Sequence, residues 1–199
     1  LHFDSKAIVE DYIRSLGIPA TFFLPAVFMN FIPLMIRPAS PGSKSYKLVI
    51  PIPGTTKVPY ISIASDAGKY IKAILLNRSA TLGKQVLAAE GEYTGVETAQ
   101  IMREKTGLDI EFEQASEEDY RAVLGSIGFP DWLQDDMCQT FQYFSEFGYF
   151  GGQDFIKVQE VRPFSESYST CTYEVQILTE PLETFEEWVA NSVELAALK

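Results

Sequence analysis

Apolar residues change their spacing along this chain, and each change marks an element. Val9, Tyr12, Ile13 and Leu16 recur at i, i+3, i+4 and i+7 behind Asp4 or Ser5 as a cap, which predicts an amphipathic helix. Gly17 stops that helix and Pro19 prevents its continuation. The unbroken apolar run ATFFL ahead of Pro25 then predicts a strand covered on both faces, as in a parallel α/β sheet. YKLVIPI and VPYISIA read as two short strands about the turn residues Pro53 and Gly54. Asp66 opens a helix with Ile71, Ile74 and Leu75 turned inward, and QVLAA reads as another strand.

Further on, the signals are mostly helix boundaries. Thr94 and Glu97 form a capping box, in which side-chain oxygens accept from free N–H groups of the first turn, for a helix ending at Gly107. LDIEFEQ alternates with period two and predicts a half-exposed strand. Ser116 caps a helix that runs through Tyr120, Val123, Leu124 and Ile127 to Gly128. Pro130 suits the first position of a longer helix reaching about Phe147, with a stripe of Trp132, Leu133, Met137, Phe141 and Phe144. A second capping box, Thr184 with Glu187, opens a last helix that turns Phe185, Trp188, Val189 and Val193 inward. GYFGGQDF and SESYSTCTY look irregular.

The pattern is α/β: a helix feeding a buried strand is half of a βαβ unit, followed by an irregular, helix-rich region. One domain, 1–199, is expected, with about 1–36 ending a parallel sheet and 37–199 forming a mixed substrate or partner lobe. Because the strand that should precede the first helix is missing, the chain reads as the later part of a longer protein.

Composition narrows the function classes. Sixteen basic against 27 acidic side chains give a formal charge of −11, a field that offers a polyanion nothing, so direct nucleic-acid binding is not expected. The most apolar stretch carries Pro25, Asn30 and Pro33 and falls short of the roughly 20 residues a membrane span needs. One histidine and two cysteines, Cys138 and Cys171, leave no His/Cys zinc pattern and point to reduced thiols in the cytosol. The same single histidine argues against a nucleophilic triad. Glu117-Glu118-Asp119, Asp135-Asp136 and Glu186-Glu187 read as solvated helix faces, since acidic residues favour first turns.

The opening HFDSKAIVEDY, with GIPATFFLPAVFMN, VPYISIASDAGKYIKAIL and QYFSEFGYFGG in that order, resembles the NmrA-like family, atypical short-chain dehydrogenases. The resemblance implies a Rossmann fold that binds NADP or NAD in the full-length protein. The second half would carry a helix-rich lobe, and the chemistry would be that of a redox sensor or regulator with little or no turnover. By that resemblance Lys6 matches the lysine that hydrogen-bonds the nicotinamide ribose, and Pro25, Ala26, Val27 and Phe28 match the turn along the nicotinamide. Asn30 matches the family's aromatic-x-Asn element, although Met29 stands where an acidic residue is frequent. Fungal members bind a GATA-type transcription factor, which implies a protein partner and a place in cytosol or nucleus. Short-chain dehydrogenases set a tyrosine proton donor four residues ahead of the lysine, and here His2 stands in that place. Lysine-only reductases of the isoflavone-reductase type keep a catalytic alternative open, with His2 as a surrogate acid. A third alternative is an interaction module that has lost the cofactor.

The diphosphate of a dinucleotide needs a glycine-rich turn from a strand into a helix. Neither Gly151-Gly152 nor Gly54 is in such a setting, so weak or no dinucleotide binding is expected of these residues alone. Tyr143, Tyr149 and Phe150 fit the stripe of their helix poorly and are the pocket candidates over the nicotinamide or toward a partner. An uncovered sheet edge and apolar face make self-association a further expectation.

Overall fold

The computed structural model describes residues 2–153 and 178–198. Helix α1 (His2–Ser15) leads into β1 (Phe22–Pro25), β2 (Val27–Phe28) and a 3-10 turn (Met29–Met35). β3 (Ile36–Pro38), β4 (Ser45–Ile50) and β5 (Lys57–Ile61) follow, then α2 (Ile63–Leu76) and the single turn α3 (Arg78–Thr81). After β6 (Gln85–Ala88) and β7 (Gly91–Thr94) come α4 (Gly95–Thr106), β8 (Asp109–Gln114), α5 (Glu117–Ser126) and α6 (Asp131–Phe147). The last described helices are α7 (Phe185–Asn191) and α8 (Val193–Ala196).

The strands make three small sheets among the described residues. β1 pairs in parallel with β6, across the boundary expected at residue 36. β5 lies between β2 (parallel) and β7 (antiparallel). β4 lies between β3 (antiparallel) and β8 (parallel). The turn at Pro53 and Gly54 therefore does not close a hairpin, since it carries the chain from one sheet to another. Strand partners are set by distant chain, and a turn residue alone does not choose them.

Local signals hold well. Both capping boxes form: Thr94 Oγ1 accepts from the Glu97 N–H while Glu97 accepts from the Thr94 N–H, and Thr184 and Glu187 do the same. Ser116 caps α5 by accepting from the Asp119 N–H. Gly107 ends α4 at φ 74°, the left-handed geometry in which a side chain would be strained. Pro130 stands one place outside α6, as its N-cap, and Asp131 is the first helical residue.

Side-chain faces are less obedient. None of the fourteen residues of α1 is buried, and Val9, Tyr12 and Leu16 of its predicted inner face are more than half exposed. On α2 only Ile74 of the predicted inner trio is buried, while Ile71 and Leu75 are exposed. β1 is half-buried along its length rather than covered on both faces. Trp132 and Val193 also point outward. The main core forms elsewhere: Met29, Leu48, Met102, Ile110, Phe185 and Leu195 are all fully enclosed between the β3–β4–β8 and β2–β5–β7 sheets, α4 and α7.

Candidate functional site

The carboxyl end of β1 is where α1, the parallel strands and α6 meet. Phe22 donates its N–H to Lys84 and Ala26 to Ala88, so alternation turns the Phe23 and Pro25 peptide groups away from β6. No strand pairs with that edge among the described residues. It is nevertheless closed at its end. Proline has no N–H to offer, and the Pro25 carbonyl accepts a hydrogen bond from the Tyr149 hydroxyl at 3.0 Å.

Tyr149 is thereby the pivot of an aromatic cluster. Its ring lies 4.9 Å from that of Phe144, 4.8 Å from Phe150 and 5.7 Å from Phe3. Phe3 also meets Tyr143 at 5.2 Å. Such edge and tilted contacts add about 0.5–1.5 kcal/mol each beyond the area buried. Burial pushes the Tyr149 phenol up to about 12, so near neutrality it is a hydrogen-bond donor and not a proton source. Of the three pocket candidates, Tyr143 and Tyr149 pack against Phe3 of α1, and Phe150 joins a small cluster with Ala26, Ile61, Tyr70, Ala88 and Ala89 at the strand ends.

Lys6 lies one turn past Phe3 on the exposed surface of α1 and makes no hydrogen bond or ion pair among the described residues. Ala26 is 1% exposed and packs inward, which leaves only its backbone for a ligand. Val27 and Phe28 are half-buried in β2, paired with Tyr60 and Ile61. Phe28 stacks on the exposed Phe31 at 5.6 Å, and Asn30 is exposed beside it. The structure thus joins Tyr149 to both Pro25 and Phe3, with Lys6 and Asn30 on open surface to either side in sequence.

His2 is held differently from a free acid. Its backbone N–H donates to Asp136 Oδ1 at 2.8 Å, and its Nδ1 is 3.6 Å from Asp136 Oδ2. Asp136 is 5% exposed, which corrects its reading as part of a solvated face. Its carboxylate caps the N-terminus of α1 from another helix, where the dipole favours negative charge. Period-3.6 counting could not reveal this, because the partner lies 134 residues away.

Of two further acids, sequence reasoning took Asp66 only as the start of a helix and missed Glu90. Asp66 is fully buried and Glu90 is 5% exposed. Desolvation pushes the Glu90 carboxyl up to about 7, with the negative charges of Glu186 and Asp66 adding to it against hydrogen bonds from Tyr93 and the Phe185 N–H. Among the described residues no group of three His, Cys, Asp or Glu could hold a metal ion. Cys138 is a buried free thiol raised above its ordinary range, mainly by burial. Cys171, Tyr168 and Tyr173 lie outside the described residues.

A parallel strand pair whose carboxyl end is bonded to an aromatic second lobe defines an α/β protein of the Rossmann-related kind. The sequence profile of the NmrA-like family matches residues 1–189, and the chain belongs to that family. Its fold is similar to NmrA, a negative transcriptional regulator solved in complex with NADP, at 15% identity and a TM-score of 0.63, over 95% of this chain and 57% of that one. It is also similar to an NADPH-dependent quinone oxidoreductase from Escherichia coli, at 18% identity and 0.64, over 94% and 60%. A nucleoside-diphosphate-sugar epimerase from Staphylococcus aureus aligns at 19% and 0.65, over 92% and 56%. The chain spans little more than half the length of these structures.

A dinucleotide fits the described residues on one side only. The strand end at Pro25–Phe28, with Asn30 exposed just after it, could flank a nicotinamide. A diphosphate cradle is not among them: Gly151 and Gly152 follow a helix, and Gly54 lies in a turn between strands.

Proposed function

We propose that this chain is the strand-end and second-lobe side of an NAD(P)-binding NmrA-like protein that senses the dinucleotide and turns over little or none of it. The bond from Tyr149 to Pro25 supports this reading best. It couples the strand end expected to lie along the nicotinamide to α6, so a ligand that shifts the strand end shifts the lobe as well. Residues Lys6, Pro25, Val27, Phe28 and Asn30 contact the cofactor, Ala26 through its backbone alone, and α6 with its exposed Trp132 and Phe147 faces a protein partner of the transcription-factor type. Bound, the dinucleotide would supply hydride chemistry; the chain's own part is to hold and orient it.

A reductase of small apolar or aromatic carbonyl compounds is the second reading. It is favoured by the Asp136 carboxylate beside His2 Nδ1, which can orient an imidazole for proton donation. The two readings part in one experiment on the complete protein. NADPH binding is followed by its fluorescence, and NADPH oxidation is followed with a panel of quinones and aldehydes. Binding that Lys6→Ala weakens roughly tenfold, without oxidation of NADPH by any compound, is the expected result. Steady turnover abolished by Lys6→Ala would replace the sensor with the reductase. Absence of binding in the complete protein would remove both and leave an interaction module.

A further inference from the structure

Away from the strand-end site, four carboxylates converge where the first turn of α2, the corner between β6 and β7, and the start of α7 come together. Asp66 Oδ1 accepts from the Lys69 ammonium at 2.8 Å and from the Glu183 N–H at 3.2 Å, while its Oδ2 is buried with no hydrogen-bond partner among the described residues. Glu183 accepts from the hydroxyls of Ser62 and Ser65, at 2.5 and 2.8 Å. Glu90 holds the Tyr93 hydroxyl between its two oxygens, at 3.1 and 3.0 Å, and the Tyr93 ring packs at 5.2 Å on that of Phe185, the first residue of α7.

Among the described residues, titratable groups of three elements act on Glu90. Asp66 and Tyr70 face it from α2, Tyr93 from β7 and Glu186 from α7; Tyr60 of β5 accepts its backbone N–H and has its own hydroxyl in contact with Thr98. Lys69, the cation beside Asp66, is committed to it and to the Pro181 carbonyl at 2.7 Å. Among the described residues an ionised Glu90 therefore lies among like charges without a cation paired to it.

We propose that Glu90 is a proton-operated latch for α7: neutral, it seats the helix on the β6–β7 corner, and ionised, it repels Glu186 and Asp66 and loosens the helix. This holds whether or not the dinucleotide reading does. The direction of the effect follows from burial, which raises the carboxyl from 4.5 to about 7 in the folded protein. The fold then binds the proton more tightly than the unfolded chain does. Its contribution is complete below pH 4.5, declines as pH rises, and is lost above about 7.

The structure supplies its own reporter, because Trp188 of α7 stacks on Phe185 with ring centroids 6.1 Å apart. In the complete protein labelled with 5-fluorotryptophan, the Trp188 fluorine resonance, assigned with Trp188→Phe, should titrate with a midpoint near 7. Glu90→Gln should hold that resonance at its low-pH position at every pH. Glu186→Gln, which removes a facing charge, should lower the midpoint by about half a unit. His2→Gln should leave the curve as it is, His2 being the only histidine in this sequence. A titration that survives Glu90→Gln, one that disappears in His2→Gln, or a flat wild-type curve overturns the proposal. Should Glu90→Gln fail to fold, Glu186→Gln decides: a lowered midpoint supports the latch and an unmoved one refutes it.

Discussion

The two sides of this molecule use apolar residues in opposite ways. Around α4 and α7 they close on one another, with Phe185 wholly buried among Tyr60, Tyr93 and Trp188. Around β1 and β6 they are offered outward: Ile8, Val9 and Tyr12 on α1 with Leu16 just after it, and Ile71, Leu75 and Leu76 on α2. The helices of the open side, α1 and α2, are more amphipathic by pattern than α4 of the closed side. What decides is whether a second surface lies opposite, which is a property of the fold and not of the helix.

That contrast can be broken most severely at its closed end. Phe185→Ala should cost about 3–5 kcal/mol, read as a lowered urea midpoint, because transfer and cavity terms add in an enclosed site. A loss under about 1 kcal/mol would mean that α7 is not packed as described. Gly95→Ala should cost about 1–3 kcal/mol by the same measurement, since overpacking forces neighbours off their rotamers. The added Cβ would come within 2.4 Å of the Phe112 ring. Tyr149→Phe removes the donor from the Pro25 carbonyl while keeping the ring contacts, and should cost about 1 kcal/mol. The smallest effect belongs to the open side. Leu75→Ser, at a position 72% exposed, should change stability by no more than about 0.5 kcal/mol. A loss of about 2 kcal/mol there would show that this face is covered in solution, which would narrow the contrast between the two sides.

The residues of the candidate site were legible to different degrees, for physical reasons. Lys6 and Pro25–Phe28 were named only through the resemblance to the NmrA-like family, and the structure adds that Ala26 turns inward. Tyr149 was singled out because it fitted no helix face, and its hydroxyl is indeed spent on another element, at Pro25. Asp136 was misjudged because its neighbour Asp135 is the exposed one of the pair, paired with Arg121. A charged residue looks solvated in any local window. Asp66 signalled only a helix start and Glu90 signalled nothing: each is a carboxylate near an element boundary, and neither position marks burial in a local window.

Helix starts and stops need only a few adjacent residues, so the chain's own letters settled them: Thr94 with Glu97, Thr184 with Glu187, Ser116, and the left-handed turn at Gly107. The alternation of LDIEFEQ likewise predicted β8, whose Ile110 is buried between exposed Asp109 and Glu111. Strand partners, the outward turn of α1 and α2, and the enclosure of Asp136, Asp66 and Glu90 were settled only when distant segments met. Burial is a relation between two surfaces, and a pattern along one segment specifies just one of them.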